Sequence, residues 1–202
     1  MAASNVSGPG FNLHSCIIAL RGRKLAKIGL DAADTAELFF DDMHVPVANR
    51  LAKENQGFAY LMQELAQERF VIAIGAAAKT EAMLAETIRY SHERRVFGQT
   101  VFDFQNTKFK LAELKAKATA MRVLVDKYLA EHLRRKLTLE EAAIAKLFTT
   151  ETLCEGLDAM LQLDRGYGYM MEFPIARAYV DACVMRIYGT SEVMKELILR
   201  EL

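Results

Sequence analysis

Apolar residues recur at spacings of three and four over most of this chain, the period of helices that bury one face. Phe58, Leu61, Leu65, Ile72 and Ala76 trace one such stripe and predict a first helix over residues 56–93. Phe104, Leu111, Leu114, Ala118, Met121, Val125 and Leu129 trace a second, over residues 103–135. A third is expected from Thr138, where Thr138-Leu139-Glu140-Glu141 has the spacing of a capping box, to Gln162, short of the glycines Gly166 and Gly168. A fourth starts just after Pro174 and carries Ala176, Tyr179, Val180 and Val184. It is expected to break at Gly189-Thr190, leaving a last helical segment over residues 191–202. Proline use agrees with this reading. Residues 47–173 contain no proline and only six glycines.

Before Pro46 the texture differs. Residues 13–20 and 37–45 are short runs with apolar and β-branched content, and residues 27–34 between them read as loop. The fold class expected is therefore mainly α: an antiparallel four-helix up-and-down bundle over residues 49–202, preceded by a short β remnant over residues 1–48. That first segment is too small to be a domain, and it reads as the end of something larger.

Composition narrows the function classes. The chain has 202 residues, 52% of them hydrophobic, with 26 basic residues against 26 acidic. This balance argues against a nucleic-acid coat or a polybasic membrane binder, both of which need a surplus of Lys and Arg. The longest apolar runs, such as residues 71–78, are too short to span a bilayer. Cys16, Cys154 and Cys183 share no metal-like spacing, and an odd count is a poor disulfide framework, so no metal site is expected and a reducing compartment is the simpler reading. The first dozen residues lack the basic start and apolar stretch of a secretory signal.

Common catalytic templates are missing: no Gly-x-Ser-x-Gly elbow, no Walker loop, no dinucleotide glycine fingerprint, no His-Glu-x-x-His. His14, His44, His92 and His132 are scattered and read as solvated. One acid stands out by position. Glu68 lies seven residues after Leu61 and four before Ile72, so it interrupts the apolar stripe of the first helix. An acid there is expected to be desolvated, which suits it to proton transfer near neutrality. The pattern by itself favours the plainer alternative, a structural ion pair with Arg69 or with a basic residue of a neighbouring helix. Glu93-Arg94-Arg95-Val96-Phe97-Gly98 places two arginines beside a turn glycine and an aromatic, as an anion clamp or as a charged helix end whose turn Phe97 staples. In Gln162-Leu163-Asp164-Arg165-Gly166-Tyr167-Gly168-Tyr169-Met170, two glycines one residue apart let backbone approach a ligand, or simply end a helix.

Together these segments resemble the C-terminal half of an acyl-CoA dehydrogenase. The resemblance is carried by Lys24-Leu25-Ala26-Lys27-Ile28-Gly29-Leu30, the Asp34 to Phe40 stretch leading to Val45-Pro46, the Glu93 to Gly98 turn, Gln105, the Gln162 to Met170 turn and the tail Arg186-Ile187-Tyr188-Gly189-Thr190-Ser191-Glu192-Val193-Met194-Lys195. It covers roughly residues 20–202. The long-chain subgroup is the most similar, through Gln63-Glu64-Leu65-Ala66-Gln67-Glu68-Arg69 and the Met-Lys-Glu-Leu-Ile tail at 194–198.

The resemblance implies an FAD enzyme that dehydrogenates a fatty acyl-CoA, of long chain by its subgroup, in β-oxidation. A carboxylate removes the α-proton while the β-hydrogen leaves as hydride to the flavin. Most members carry that carboxylate between the Tyr and Gly of the tail; here Tyr188 runs directly into Gly189. The long-chain and isovaleryl subgroups place the base on the first bundle helix, and Glu68 matches that position. By the same match, Arg69 and Tyr188 bind substrate, and Arg94, Phe97, Gln105, Gln162, Gly166, Thr190 and Glu192 fall on positions that touch FAD, some of it held by a neighbouring subunit. Residues 1–48 would be the end of the family's middle β-domain. A homo-oligomer built as a dimer of dimers, an electron-transfer flavoprotein as acceptor, and a bacterial cytoplasm or mitochondrial matrix complete the implication. The chain departs from the family pattern at Asp164-Arg165, in place of the usual His-Gly or a similar pair, at Val96, and in a tail one glycine shorter. A non-catalytic helical oligomerisation module derived from the family is the competing reading.

Overall fold

The computed structural model of the chain describes residues 19–41, 43–189 and 192–200. Its described residues divide into two compact units, one comprising those up to Lys27 and from Asp31 to Gly57, the other Ile28–Leu30 and those from Phe58 onward. In the first unit, strand β1 (Ala19–Lys24) pairs antiparallel with β2 (Ala36–Phe40), Ala19 opposite Phe40 and Lys24 opposite Ala36. The register shifts between Arg21 and Lys24. An ion pair of 2.7 Å from Lys24 to Asp34 and a 2.8 Å hydrogen bond from the Leu25 amide to the Thr35 carbonyl close the hairpin. The strand expected over residues 13–20 falls largely outside the described residues. The one expected over 37–45 ends at Phe40, and a short 3-10 turn follows at Val47–Asn49.

The second unit is helical. Helix α1 (Gly57–Glu93) leads into a small antiparallel hairpin of β3 (Arg95–Val96) and β4 (Gln99–Thr100), then α2 (Gln105–Leu133), α3 (Leu139–Asp164), α4 (Pro174–Ala182) and α5 (Glu192–Leu199). Two packed clusters fix the directions. Phe70, Ala73 and Ala77 of α1 meet Met121, Val125 and Tyr128 of α2 and Ala145 of α3. Further along α1, Ala76 and Leu84 meet Leu111, Leu114 and Ala118 of α2 and Leu153, Leu157 and Met160 of α3. As numbers rise in α1 they fall in α2 and rise again from α3's first cluster to its second position in step with α1. Successive long helices are therefore antiparallel, as the short connections require.

Local chemistry sets the helix starts. Thr138 caps α3: the Glu141 amide donates to Thr138 Oγ1 at 3.1 Å, and the Thr138 amide donates to Glu141 Oε2 at 3.1 Å. A second capping box, Thr100 with Asp103, closes the 3-10 turn that precedes α2. Pro174 occupies the first turn of α4, where its missing N–H costs nothing.

Two expectations need correction. The apolar stripe drawn through Phe58 and Leu61 is not the buried face of α1: those side chains are 75% and 66% exposed. The buried face is Arg69, Phe70, Ala73, Ala76, Ala77, Thr80, Leu84, Thr87 and Ser91. It is rich in small and hydroxyl-bearing residues, which a count of large apolar side chains does not register. The hydroxyls of Thr80 and Ser91 donate to the Ala76 and Thr87 carbonyls at 2.9 and 2.7 Å, so these polar groups are buried satisfied. Likewise Tyr128 rather than Leu129 continues the face of α2. The second correction is at the fourth helix. It does not run unbroken to Gly189: α4 ends at Ala182, and a 3-10 turn at Cys183–Arg186 follows. No helix among the described residues is long and apolar enough to cross a membrane.

Candidate functional site

The proposed site residues collect at two places in the helical unit. The first lies where the tail meets α1 and α3. Glu68 is exposed on α1, contrary to the desolvation expected from its place in the stripe, because the true buried face is turned by about one residue, roughly 100°. Arg69 occupies that buried face instead. It is 5% exposed, and its Nε and Nη1 find no hydrogen-bond partner. Burial lowers the Arg69 pKa, and the neighbouring Glu68 charge opposes that shift. The ion pair considered from sequence is thus reduced to a through-space attraction.

One turn beyond Glu68, on its side of the helix, Ile72 meets the tail: a Cβ added at Gly189 would sit 2.9 Å from Ile72 Cδ1 and 3.7 Å from Lys146 Cε. Gly189 has φ of +66°, so glycine is required there for conformation as well as space. Its neighbour Tyr188 is partly exposed, and burial raises its phenol pKa. Lys146, fully buried on α3, donates from Nζ to the Arg186 carbonyl at 3.3 Å and so ties the tail down. Desolvation lowers the Lys146 pKa, Glu151 acts against this, and the Arg69 charge lowers it further. Sequence reasoning missed Lys146. Its signal was available: a lone charge among Ala142, Ala143, Ala145 and Thr149, the same kind of interruption that singled out Glu68. Thr190 lies outside the described residues, and Glu192 opens α5.

The second place is the end of the bundle formed by the last turns of α1, the β3–β4 hairpin and the turn after α3. Val96 pairs with Gln99, leaving Phe97-Gly98 as a two-residue loop with φ of 50° and 85°. Both positive values mark a turn that favours Asn or Gly at its first position; a phenylalanine there costs on the order of 1 kcal/mol. Phe97 is also 95% exposed, so its ring repays none of that strain within this chain. Of the two arginines, Arg95 donates to the Gly98 carbonyl at 3.3 Å and braces the turn. Arg94 instead lies over the Tyr167 ring at 5.7 Å, with no ion pair among the described residues. Gln105 opens α2, and Gln162 and Gly166 are exposed at and beyond the end of α3.

The two glycines of the turn differ. A Cβ at Gly168 would stand 2.5 Å from the Leu161 carbonyl oxygen, so that glycine serves the chain's own packing. At Gly166 nothing lies within 4 Å, which leaves its backbone open to approach from outside. Between α1 and this turn lies a cavity of about 330 Å³, lined in part by Tyr90, Arg94, Asp164, Tyr167 and Phe173. Asp164 is buried with Oδ1 unpartnered, and desolvation pushes its pKa up to about 6. Open glycine backbone, an uncommitted arginine and a strained exposed aromatic fit a flavin dinucleotide, whereas three carboxylates that line the cavity sit badly with an anion: Glu86 and Glu93, both bonded by Arg89, and the buried Asp164.

The profile described as "Acyl-CoA dehydrogenase, C-terminal domain" matches residues 55–202. The long-chain specific acyl-CoA dehydrogenase of Sus scrofa mitochondria is 50% identical over 184 residues, which are 91% of this chain and 43% of that protein. The crystal structure of an acyl-CoA dehydrogenase from Geobacillus kaustophilus superposes with a TM-score of 0.89 at 43% identity, over 95% of this chain and 50% of that one. Butyryl-CoA dehydrogenase from Megasphaera elsdenii gives a TM-score of 0.83 at 35% identity, over 89% of this chain and 47% of that one. The chain spans about half the length of the relatives it matches.

Proposed function

Because the chain belongs to the acyl-CoA dehydrogenase family, we propose that it forms the C-terminal half of an FAD-dependent acyl-CoA dehydrogenase acting on long-chain fatty acyl-CoA, with Glu68 as the base. The observation that carries this reading is the tail. No acid stands between Tyr188 and Gly189, while the turn they form packs on Ile72, one helical turn from Glu68. An outward-facing carboxylate beside a docked tail is where a substrate carried by the rest of the protein is met. FAD, when bound, supplies the two-electron acceptor that α,β-dehydrogenation of a thioester needs. Arg94, Phe97, Gln105, Gln162, Gly166, Thr190 and Glu192 would hold it. Glu68 accepts the α-proton, Arg69 keeps a positive charge beside that carboxylate, and Tyr188 lines the substrate.

The assembly would be a dimer of dimers, passing electrons to an electron-transfer flavoprotein in a bacterial cytoplasm or a mitochondrial matrix. A non-catalytic module has no use for an exposed aromatic in a strained turn or for a buried guanidinium without a partner. The deciding experiment replaces Glu68 with Gln in the FAD-loaded protein and follows anaerobic flavin bleaching by a long-chain acyl-CoA. Binding of FAD and thioester should persist while bleaching slows by about a hundredfold or more, the usual contribution of a positioned general base. Near-normal bleaching in the Gln variant would place the base elsewhere.

A further inference from the structure

We propose that Lys146 is a positioning residue of the dehydrogenation: from inside α3 it sets where the tail turn stands over α1, and with it the distance of Tyr188 from Glu68. The inference rests on the reading of Glu68 and Tyr188 given above and adds a residue that acts through them. Fully buried, Lys146 does not meet substrate itself.

Tyr188 is held from both sides by this one lysine. Nζ donates to the carbonyl of Arg186, two residues before the tyrosine, at 3.3 Å. On the other side, a Cβ built on Gly189 would stand 3.7 Å from Lys146 Cε and 2.9 Å from Ile72 Cδ1, so the glycine is wedged between α3 and α1. The turn between these points is closed on itself, since the Ile187 and Tyr188 amides both donate to the Val184 carbonyl, at 2.8 and 2.9 Å. Fixing Arg186 and Gly189 therefore fixes Tyr188. Glu151, farther along α3, also holds Arg186, accepting from Nη1 at 3.3 Å. That pair is exposed at 48% and 40% and contributes little. The buried contact decides the position.

Packing alone gives no reason for a lysine here. It stands in a stretch of α3 whose Ala142, Ala143 and Ala145 are fully buried as well. Taking an ammonium out of water is costly. Desolvation lowers its pKa, Glu151 acts against this, and the Arg69 guanidinium lowers it further. Methionine has similar length and helix propensity and fills such a space without a charge. What lysine supplies and methionine does not is a donor to the tail. No acid stands between Tyr188 and Gly189, so this tail delivers an aromatic rather than a base. The carboxylate on α1 and the ring on the tail come from different elements, and the bond from α3 to the tail defines their separation. A misplacement of about 1 Å can slow a reaction on the order of a hundredfold.

The test is Lys146→Met in the FAD-loaded protein, followed by anaerobic bleaching with a long-chain acyl-CoA and combined with Tyr188→Ala. Bleaching at saturating thioester should slow by about tenfold or more, while the affinities for FAD and for thioester stay within about threefold of wild type. The double variant should be no slower than the slower single one, because both changes act through the same ring. If the two losses multiply instead, Lys146 does not act through Tyr188 and the proposal is overturned. A normal rate in Lys146→Met, or a loss confined to thioester affinity, overturns it as well and leaves the Glu68 reading standing. Slow bleaching coupled to Tyr188, in a protein whose Glu68→Gln variant bleaches normally, sustains the proposal and defeats Glu68 as the base. Lys146→Leu, also without a donor, is read in the same way if the Met variant does not take up FAD. If neither variant takes it up, the lysine serves the fold and the proposal fails. A wild type that is not bleached defeats both readings.

Discussion

Asp164 and Arg69 are charges placed where a folded chain has least use for them, and each has a physical cost that can be measured. For Asp164 the sign follows from its raised pKa. Between the ordinary carboxyl value near 4 and about 6, the folded protein holds a proton that the unfolded chain has lost. Stability therefore falls as pH rises through that window, and above it the penalty reaches about 3 kcal/mol. Asp164→Asn should raise the denaturation midpoint at pH 7.5 and change it little at pH 4, so the two proteins converge on acidification. Equal stability at both pH values would show that the carboxyl has a partner in solution. Arg69 differs, since its charge cannot be titrated away near neutrality, and its Nε and Nη1 are buried without a hydrogen-bond partner at a cost to stability.

At the scale of elements, the turn after α3 separates packing from recognition within three residues. Gly168→Ala drives a Cβ against the Leu161 carbonyl, and a clash with backbone should cost about 2–4 kcal/mol in chemical denaturation. Gly166→Ala meets open space and should stay within about 0.5 kcal/mol of wild type. If Gly166 faces the cofactor, the same substitution weakens FAD binding severalfold while leaving the unfolding curve in place. Loss of stability at position 166 would mean that the turn is tighter than its contacts indicate. The β3–β4 hairpin works the same way, with Phe97 in a conformation better suited to Asn or Gly, presented outward.

For the whole molecule, exposed apolar surface is the feature that bears on association. Phe58, Leu61 and Met62 at the start of α1, together with Phe109, Val123 and Leu133 on α2, are large and solvent-facing. Helix faces of this kind are stable when covered. Sedimentation velocity should find the chain self-associated at micromolar concentration, and a clean monomer would refute this. Charged surface does not oppose such contacts, because the 26 acidic and 26 basic residues cancel.

The helices, their order and most of their ends were legible from sequence, because they depend on neighbours a few residues away. Thr138-x-x-Glu141 caps α3 by local hydrogen bonds, the absence of proline permits long helices, and Pro174 starts α4. The second helix's stripe was right at Leu111, Leu114, Ala118, Met121 and Val125 because its buried face uses large apolar groups. The motif order that resembles the family was also carried by sequence alone. Only the tertiary structure decided the rotation of α1, since the face that packs is the one whose Phe70, Ala73 and Ala77 meet Met121, Val125 and Tyr128 of α2 and Ala145 of α3, while Phe58 and Leu61 stay outside the core. That rotation exposes Glu68 and buries Arg69. Tertiary contacts likewise decided that Gly168 serves packing while Gly166 stays open, that Lys146 reaches the tail forty residues away, and that Asp164 ends up buried. Burial of a charge is fixed by what surrounds it in space, and a residue's neighbours in sequence do not specify that.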